Sequence, residues 1–375
     1  MTDATAWIAC NVHRAHAALE AADIDAVVSS RPEDAAYLTP RRAFIYRALA
    51  EGRLGEVVIL RADGDPVLVT MDAYVPYYES VGIVARPLTE LEAVVRKTTE
   101  GASRVAVPGE CPHSLHRLVA ANVGARATDA DPLAAARQTK HEGEVAAIAA
   151  AATLAQAGMA AMLGACCAGQ TEAEVVSCGE ATMRALGAES LCFSTLCIGG
   201  PELGLMREVT TTRVLQEGDW VMLDGGCALD GYNAEFARSV RIGGPNDFYM
   251  SAYRAVYDAQ RRAIDSLRPG VSGATVDAVA RAAIGDAGFG DYCYAHVTGH
   301  GIGTGVWELP VLGPAERAPL PTGAVVSVEP GVFIPGTGGI RIEDLVVVTE
   351  SGAELLTDTS RALVLEEAAL TTKEA

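Results

Sequence analysis

The stretch Asp219-Trp220-Val221-Met222-Leu223-Asp224-Gly225-Gly226, continued by Leu229-Asp230-Gly231-Tyr232-Asn233-Ala234-Glu235-Phe236-Ala237-Arg238, decides how this chain is read. An apolar strand ending at Asp224, a turn and a returning strand at Glu235 would set two carboxylates at matched depth on neighbouring strands. Carboxylates that close repel one another unless a cation lies between them. Two later segments add to them. His296-Val297-Thr298-Gly299-His300-Gly301-Ile302-Gly303 offers a glycine-flanked histidine, and Val325-Val326-Ser327-Val328-Glu329-Pro330 with Gly338-Gly339-Ile340-Arg341-Ile342-Glu343-Asp344 puts two more carboxylates in apolar strands. Buried carboxylates are costly unless paired or metal-bound, and four of them with one imidazole can satisfy two divalent ions.

Working outward, the chain carries an internal repeat. Gly169-Gln170-Thr171, Val175, Ala181 and Gly187 are echoed by Gly270-Val271-Ser272, Val276, Ala282 and Gly288, an offset of 101 residues throughout. In both copies a helix ends at glycine, Thr171 or Ser272 is placed to cap the next helix, and a glycine closes that one. A whole helix-turn-helix unit repeated in this way predicts a duplicated α/β fold with a site between its halves.

Residues 1–135 read differently. A helical pattern over 11–22 is followed by short apolar strands over 25–29, 56–60, 66–70 and 104–108, the middle two around the turn Ala62-Asp63-Gly64-Asp65. This predicts a small α/β domain over 1–135. A larger domain over 136–375 opens with Arg137-Gln138-Thr139-Lys140-His141-Glu142 and a long alanine-rich helix to about residue 164.

Composition narrows the function. With 375 residues the core needs no disulfide staples, and a formal charge of −19 disfavours phosphate backbones and anionic lipid, so neither nucleic acid nor a membrane is expected as a partner. Residues 1–14 show no secretory pattern, and the nine cysteines lack zinc-site spacing. Reduced thiols and a cytoplasmic location are expected, with Cys227 a packing residue.

These motifs resemble the M24 metallopeptidase family, which includes methionine aminopeptidase, aminopeptidase P, prolidase and creatinase. The resemblance covers nearly the whole chain. It implies an α+β pita-bread catalytic domain with an internal pseudo-twofold, preceded by a small creatinase N-terminal-like α/β domain. It further implies a dinuclear centre held by Asp224, Glu235, His300, Glu329 and Glu343. The ions would be manganese, cobalt, iron or zinc, falling to one ion or none if Glu235 does not ligate. Glu329 would also shuttle a proton, His296 would line the pocket as a further catalytic group, and Arg341 would hold neighbouring carboxylates as a bidentate donor beside the substrate. A homodimer is implied by the same branch.

Three positions depart from the family pattern. Glu235 replaces the second aspartate, while Trp307 and Arg207 stand where peptidases have pocket histidines. Indole takes up no proton at neutral pH, and an arginine is no base but can clamp a carboxylate. The expected function is therefore metal-dependent hydrolysis of an amide or related C–N bond in a small molecule or short peptide. A carboxylate of that substrate would be held by Arg207 and covered by Trp307. A metal-free creatinase-like hydrolase or lyase and a non-catalytic binding protein are the alternatives.

Overall fold

The computed structural model describes residues 4–39, 55–244 and 246–357. The chain divides into two compact units between Arg137 and Gln138.

In the first unit six strands form one sheet in the order β4-β3-β2-β1-β5-β6. They are β1 (Ala26–Ser29), β2 (Val57–Arg61), β3 (Val67–Thr70), β4 (Val84–Pro87), β5 (Val105–Ala106) and β6 (Ala127–Thr128). Around it run α1 (Ala4–Ala21), α2 (Pro32–Leu38), α3 (Val75–Ser80), α4 (Leu91–Thr98), α5 (His113–Val123) and α6 (Pro132–Arg137). Antiparallel β2 and β3 form the hairpin expected around residues 62–65. Strand alternation splits the core into two layers. Val27, Val58, Leu60 and Leu68 pack with Leu19 and Leu133, whereas Val28, Val57, Ile59 and Val69 pack with Val95, Leu115 and Val119.

The second unit contains, in chain order, α7 (Glu142–Ala165), α8 (Glu172–Ala185), β7 (Ser190–Leu191), β8 (Leu196–Gly199), β9 (Trp220–Leu229) and β10 (Tyr232–Arg241). Then follow α9 (Asp247–Ser266), α10 (Gly273–Asp286), β11 (Gly299–Gly301), β12 (Glu308–Leu312), β13 (Val325–Val328), β14 (Gly331–Ile334), β15 (Gly338–Arg341), β16 (Asp344–Thr349) and β17 (Gly352–Leu355). The predicted repeat is structural. Thr171 and Ser272 cap α8 and α10 through their hydroxyls, and each is bridged to a later strand segment, at Val214 and Pro319. Gly169 and Gly270, both at positive φ, donate to Leu215 O and Leu320 O at 2.9 and 3.0 Å.

Helix α7 is long and apolar enough in composition to cross a membrane, yet it serves as a core helix. Its Ala151, Ala155, Met159 and Met162 are buried, and it packs on α8, β9 and β10. Cys227 lies in that apolar layer, and all nine cysteines are free thiols.

Candidate metal centre

The two long strands of the first half set the first pair of carboxylates. β9 does not end at Asp224; it continues to Leu229, with Asp224 opposite Ala237 and Glu235 opposite Gly226. The carboxylates therefore sit on one face two rungs apart, a diagonal pair, where the sequence reading placed them at matched depth. Gly226 is required by the close approach of the partner strand: a Cβ there would lie 2.0 Å from Ala234 O and 2.6 Å from Glu235 Cα.

The second half brings the remaining groups. His300 lies on β11, and its backbone N–H donates to Ser327 Oγ at 3.1 Å. Its Nδ1 is 3.0 Å from Gly301 O, and a carbonyl can only accept, so the proton sits on Nδ1 and the Nε2 lone pair is free. That Nε2 is 3.5 Å from Oε1 of Glu235 and 3.5 Å from Oε1 of Glu329. The β14–β15 hairpin is fastened to β10 at its end. Ser239 Oγ donates to Arg341 O and accepts from Arg341 N, each at 3.0 Å, and Glu343 N donates to Ala237 O at 3.1 Å. This fastening delivers Glu343 to Glu235, so ligand atoms of Glu235, His300 and Glu343 lie within 4.8 Å of one another, all three residues buried.

Arg341 acts as a bridge and not as a bidentate donor to one group. Its Nη1 donates to Asp224 Oδ2 at 2.8 Å, and its Nε is 3.8 Å from Glu329 Oε2. Burial works against its charge, but Glu329, Asp224 and Glu343 outweigh that and raise its pKa. One arginine cannot neutralise four carboxylates. Burial pushes all four upward: Glu235 and Glu343 well above their usual range, further raised by neighbouring carboxylates, and Asp224 and Glu329 against the opposing pull of Arg341. Burial lowers His300, keeping it neutral. Glu235 Oε1 is buried without a hydrogen-bond partner. Converging oxygens, a lone-pair nitrogen and an orphaned carboxylate oxygen fit a hard or borderline divalent cation.

The flanking residues divide. His296 Nδ1 lies 2.7 Å from Val297 O, while its Nε2 is buried and unpartnered. Burial, aided by Arg341, pushes this imidazole down to about 3. His296 is thus a fixed acceptor at neutral pH. Trp307 tilts over His300 with ring centroids 5.7 Å apart and is 58% exposed. Arg207 departs from the sequence reading. Its guanidinium binds buried Glu172, reaches Glu202 Oε2 at 3.1 Å, and donates to Thr211 Oγ1 at 3.0 Å. The expected carboxylate clamp is thus already occupied by the protein's own acids.

Sequence reasoning missed the supports beneath the candidate ligands. Ser327 accepts from His300 N and donates to Glu329 Oε1 at 3.4 Å. Fully buried Arg238 donates to Glu343 O at 2.6 Å and to Asp344 Oδ1 at 2.7 Å. The signal for Arg238 was available: alternation from Glu235 puts it on the apolar face of β10, where an arginine needs a buried acid.

Known proteins resemble this chain in sequence and fold. The chain is 37% identical to an Xaa-Pro dipeptidase of Pyrococcus furiosus over 52% of its own length and 56% of that protein, and 34% identical to an Xaa-Pro dipeptidase of Pyrococcus horikoshii over 61% and 65%. These matches span between half and two thirds of the curated relatives. Among solved structures, the dipeptidase PepE from Mycobacterium ulcerans is 32% identical with a TM-score of 0.83, covering 96% of this chain and 97% of that one. The prolidase from Pyrococcus horikoshii gives a TM-score of 0.82 at 26% identity, covering 94% and 99%. The fold is the α+β pita-bread fold of these neighbours. The model of metallopeptidase family M24 matches residues 146–350, more than half of the chain and a range that includes all five candidate ligand positions, and the chain belongs to that family.

Proposed function

We propose that this protein is a metal-dependent hydrolase of the prolidase type that cleaves an amide C–N bond in a dipeptide or short peptide. The observation that carries the reading is the convergence of Glu235, His300 and Glu343 with a buried, unpartnered carboxylate oxygen. Asp224, Glu235, His300, Glu329 and Glu343 would hold two divalent ions, manganese, cobalt, iron or zinc. Bound there, such ions supply Lewis acidity and a water nucleophile at neutral pH.

The chain's own groups do the rest. Glu329, 3.5 Å from His300 Nε2 and held by Ser327, takes a proton at its carboxylate and passes it to the leaving nitrogen. His296 Nε2, fixed as an acceptor, receives an N–H of the substrate. Trp307 covers His300 and shields it from water. Arg341 bridges Asp224 and Glu329 and offsets part of their mutual repulsion. We further propose a cytoplasmic homodimer.

The test is metal analysis of protein purified without chelator, alongside hydrolysis of Xaa-Pro dipeptides. Two equivalents and turnover are expected, and Glu235→Ala should lose about one equivalent with its circular dichroism unchanged. Unchanged stoichiometry in that variant would remove Glu235 from the ligands. No metal uptake even after soaking in manganese would overturn the reading in favour of a metal-free enzyme or a binding protein.

A further inference from the structure

Resting on the metallohydrolase reading for its effect on turnover, we propose that Lys140 is a positioning residue: through its buried ion pair with Glu308 it fixes Trp307 over His300. Lys140 Nζ lies 2.7 Å from Glu308 Oε1, and both side chains are almost wholly buried. The pair stands beneath the turn that carries the indole. Gly301 on β11 is in register with Glu308 on β12, and residues 302–307 between them belong to no strand. A Cβ at Gly303 would lie 2.5 Å from Glu308 Oε1 and 3.1 Å from Lys140 Cε, so the pair packs directly against that turn.

An indole with more than half of its surface in solvent is not held by core packing, so its aim depends on the backbone beneath it. Side chains clamp both ends of the turn. At the near end Asn233, two residues before Glu235 on β10, donates from Nδ2 to Gly303 O at 2.9 Å and to Thr304 O at 3.0 Å. At the far end Glu308 uses both oxygens, Oε1 on Lys140 and Oε2 on the N–H of Gly305 at 3.3 Å. Lys140 is anchored in turn, its own N–H donating to Gly323 O at 2.8 Å. Trp307 directly precedes Glu308, so freeing that carboxylate from Lys140 lets the indole move relative to the His300 ring, 5.7 Å away between centroids. A buried ion pair adds little net stability over apolar groups of similar volume, but its charge-assisted bond accepts a narrow geometry, which suits the aiming of a neighbour.

The test labels the full-length protein with 5-fluorotryptophan and follows Trp307 by fluorine NMR in the presence of chelator, its signal assigned by its loss in Trp307→Phe. Two variants weaken the pair: Glu308→Gln, which keeps the shape, and Lys140→Met combined with Glu308→Leu, which substitutes apolar groups of similar volume. In both, the Trp307 signal should shift toward that of free 5-fluorotryptophan while those of Trp7 and Trp220 stay in place. Kinetics of the manganese-loaded protein on an Xaa-Pro dipeptide give the second readout. kcat/KM should fall about ten-fold in the apolar double variant, and the same change should cost nothing further in a Trp307→Ala background. A merely structural pair would cost the same in both backgrounds, and that result would overturn the proposal, as would a Trp307 signal unmoved in both variants. If the double variant does not fold, Glu308→Gln carries both measurements. Failure of the metallohydrolase reading is seen separately, as a chain that takes up no manganese and cleaves no dipeptide while its Trp307 signal still responds to the pair.

Discussion

The two halves of the second unit share a scaffold and differ in what they present from it. In each, a capped helix leads to a strand pair: β8 beside β9 in the first half, β11 beside β13 in the second. Gly199 pairs with Val221 and Gly301 with Val326, so Ile198 and His300 hold matching positions, as do Asp224 and Glu329. Only the second half carries the imidazole. The halves also part after the shared strand. β9 runs ten residues and returns directly as β10, whereas Pro330 has no N–H to continue the ladder and the chain detours through β14 and β15 before β16. That detour delivers Arg341 and Glu343 to carboxylates of the first half. The repeated part therefore builds the floor, and the unrepeated hairpin completes the site.

Breaking that link should give the largest effect. Arg341→Ala leaves Asp224 and Glu329 buried without their shared cation, and removing one partner of a buried pair costs about 3–5 kcal/mol. Urea unfolding in the presence of chelator measures it. A loss below about 1 kcal/mol would mean that the halves are held together elsewhere and that Arg341 only faces the substrate. With metal bound the loss should shrink, because a divalent cation takes over the neutralisation.

The pH dependence of the metal-free protein sharpens the same comparison. Burial raises Asp224, Glu235, Glu329 and Glu343 above their unfolded values of about 4, so their contribution to stability is fully present below that pH and is lost as pH rises through the raised values. His296, pushed down to about 3, and His300, also lowered by burial, have the opposite sign: they lose their contribution as pH falls below about 6.5. Four carboxylates against two imidazoles decide the balance. The melting temperature of chelated protein should fall from about pH 5 to pH 8, and added metal should flatten the slope by displacing the protons. A rise across that interval would show that the carboxylates are ionised without metal.

How much of this was legible in the sequence follows from the range of each interaction. The repeat was readable because caps and positive-φ glycines are local signals, and the candidate ligand positions because four of their five motif positions keep the family residue while Glu235 keeps a carboxylate. The register of β9 and β10 was not, because Gly225-Gly226 reads as a turn while the strand runs straight through it. The pairing of Arg207 was not legible either, because its acid, Glu172, lies 35 residues upstream and is fully buried on α8. Arg341 bridges acids from the two halves, which no single motif contains.

The smallest prediction contrasts a glycine from each half. At Gly226 a Cβ collides with the backbone of β10, so Gly226→Ala should cost about 1–3 kcal/mol and lower metal content by displacing Glu235. At Gly285, exposed near the end of α10, an added Cβ meets nothing within 4 Å beyond the helix's own adjacent backbone, and the backbone is helical. Gly285→Ala should therefore stabilise by about 0.5–1 kcal/mol through the unfolded chain's lost freedom, with metal content unchanged. Chemical unfolding and metal analysis on both variants separate the roles. If Gly226→Ala were as harmless as Gly285→Ala, the close approach of β9 and β10 would have no part in aiming Glu235, and the first half's contribution to the site would rest on Asp224 alone.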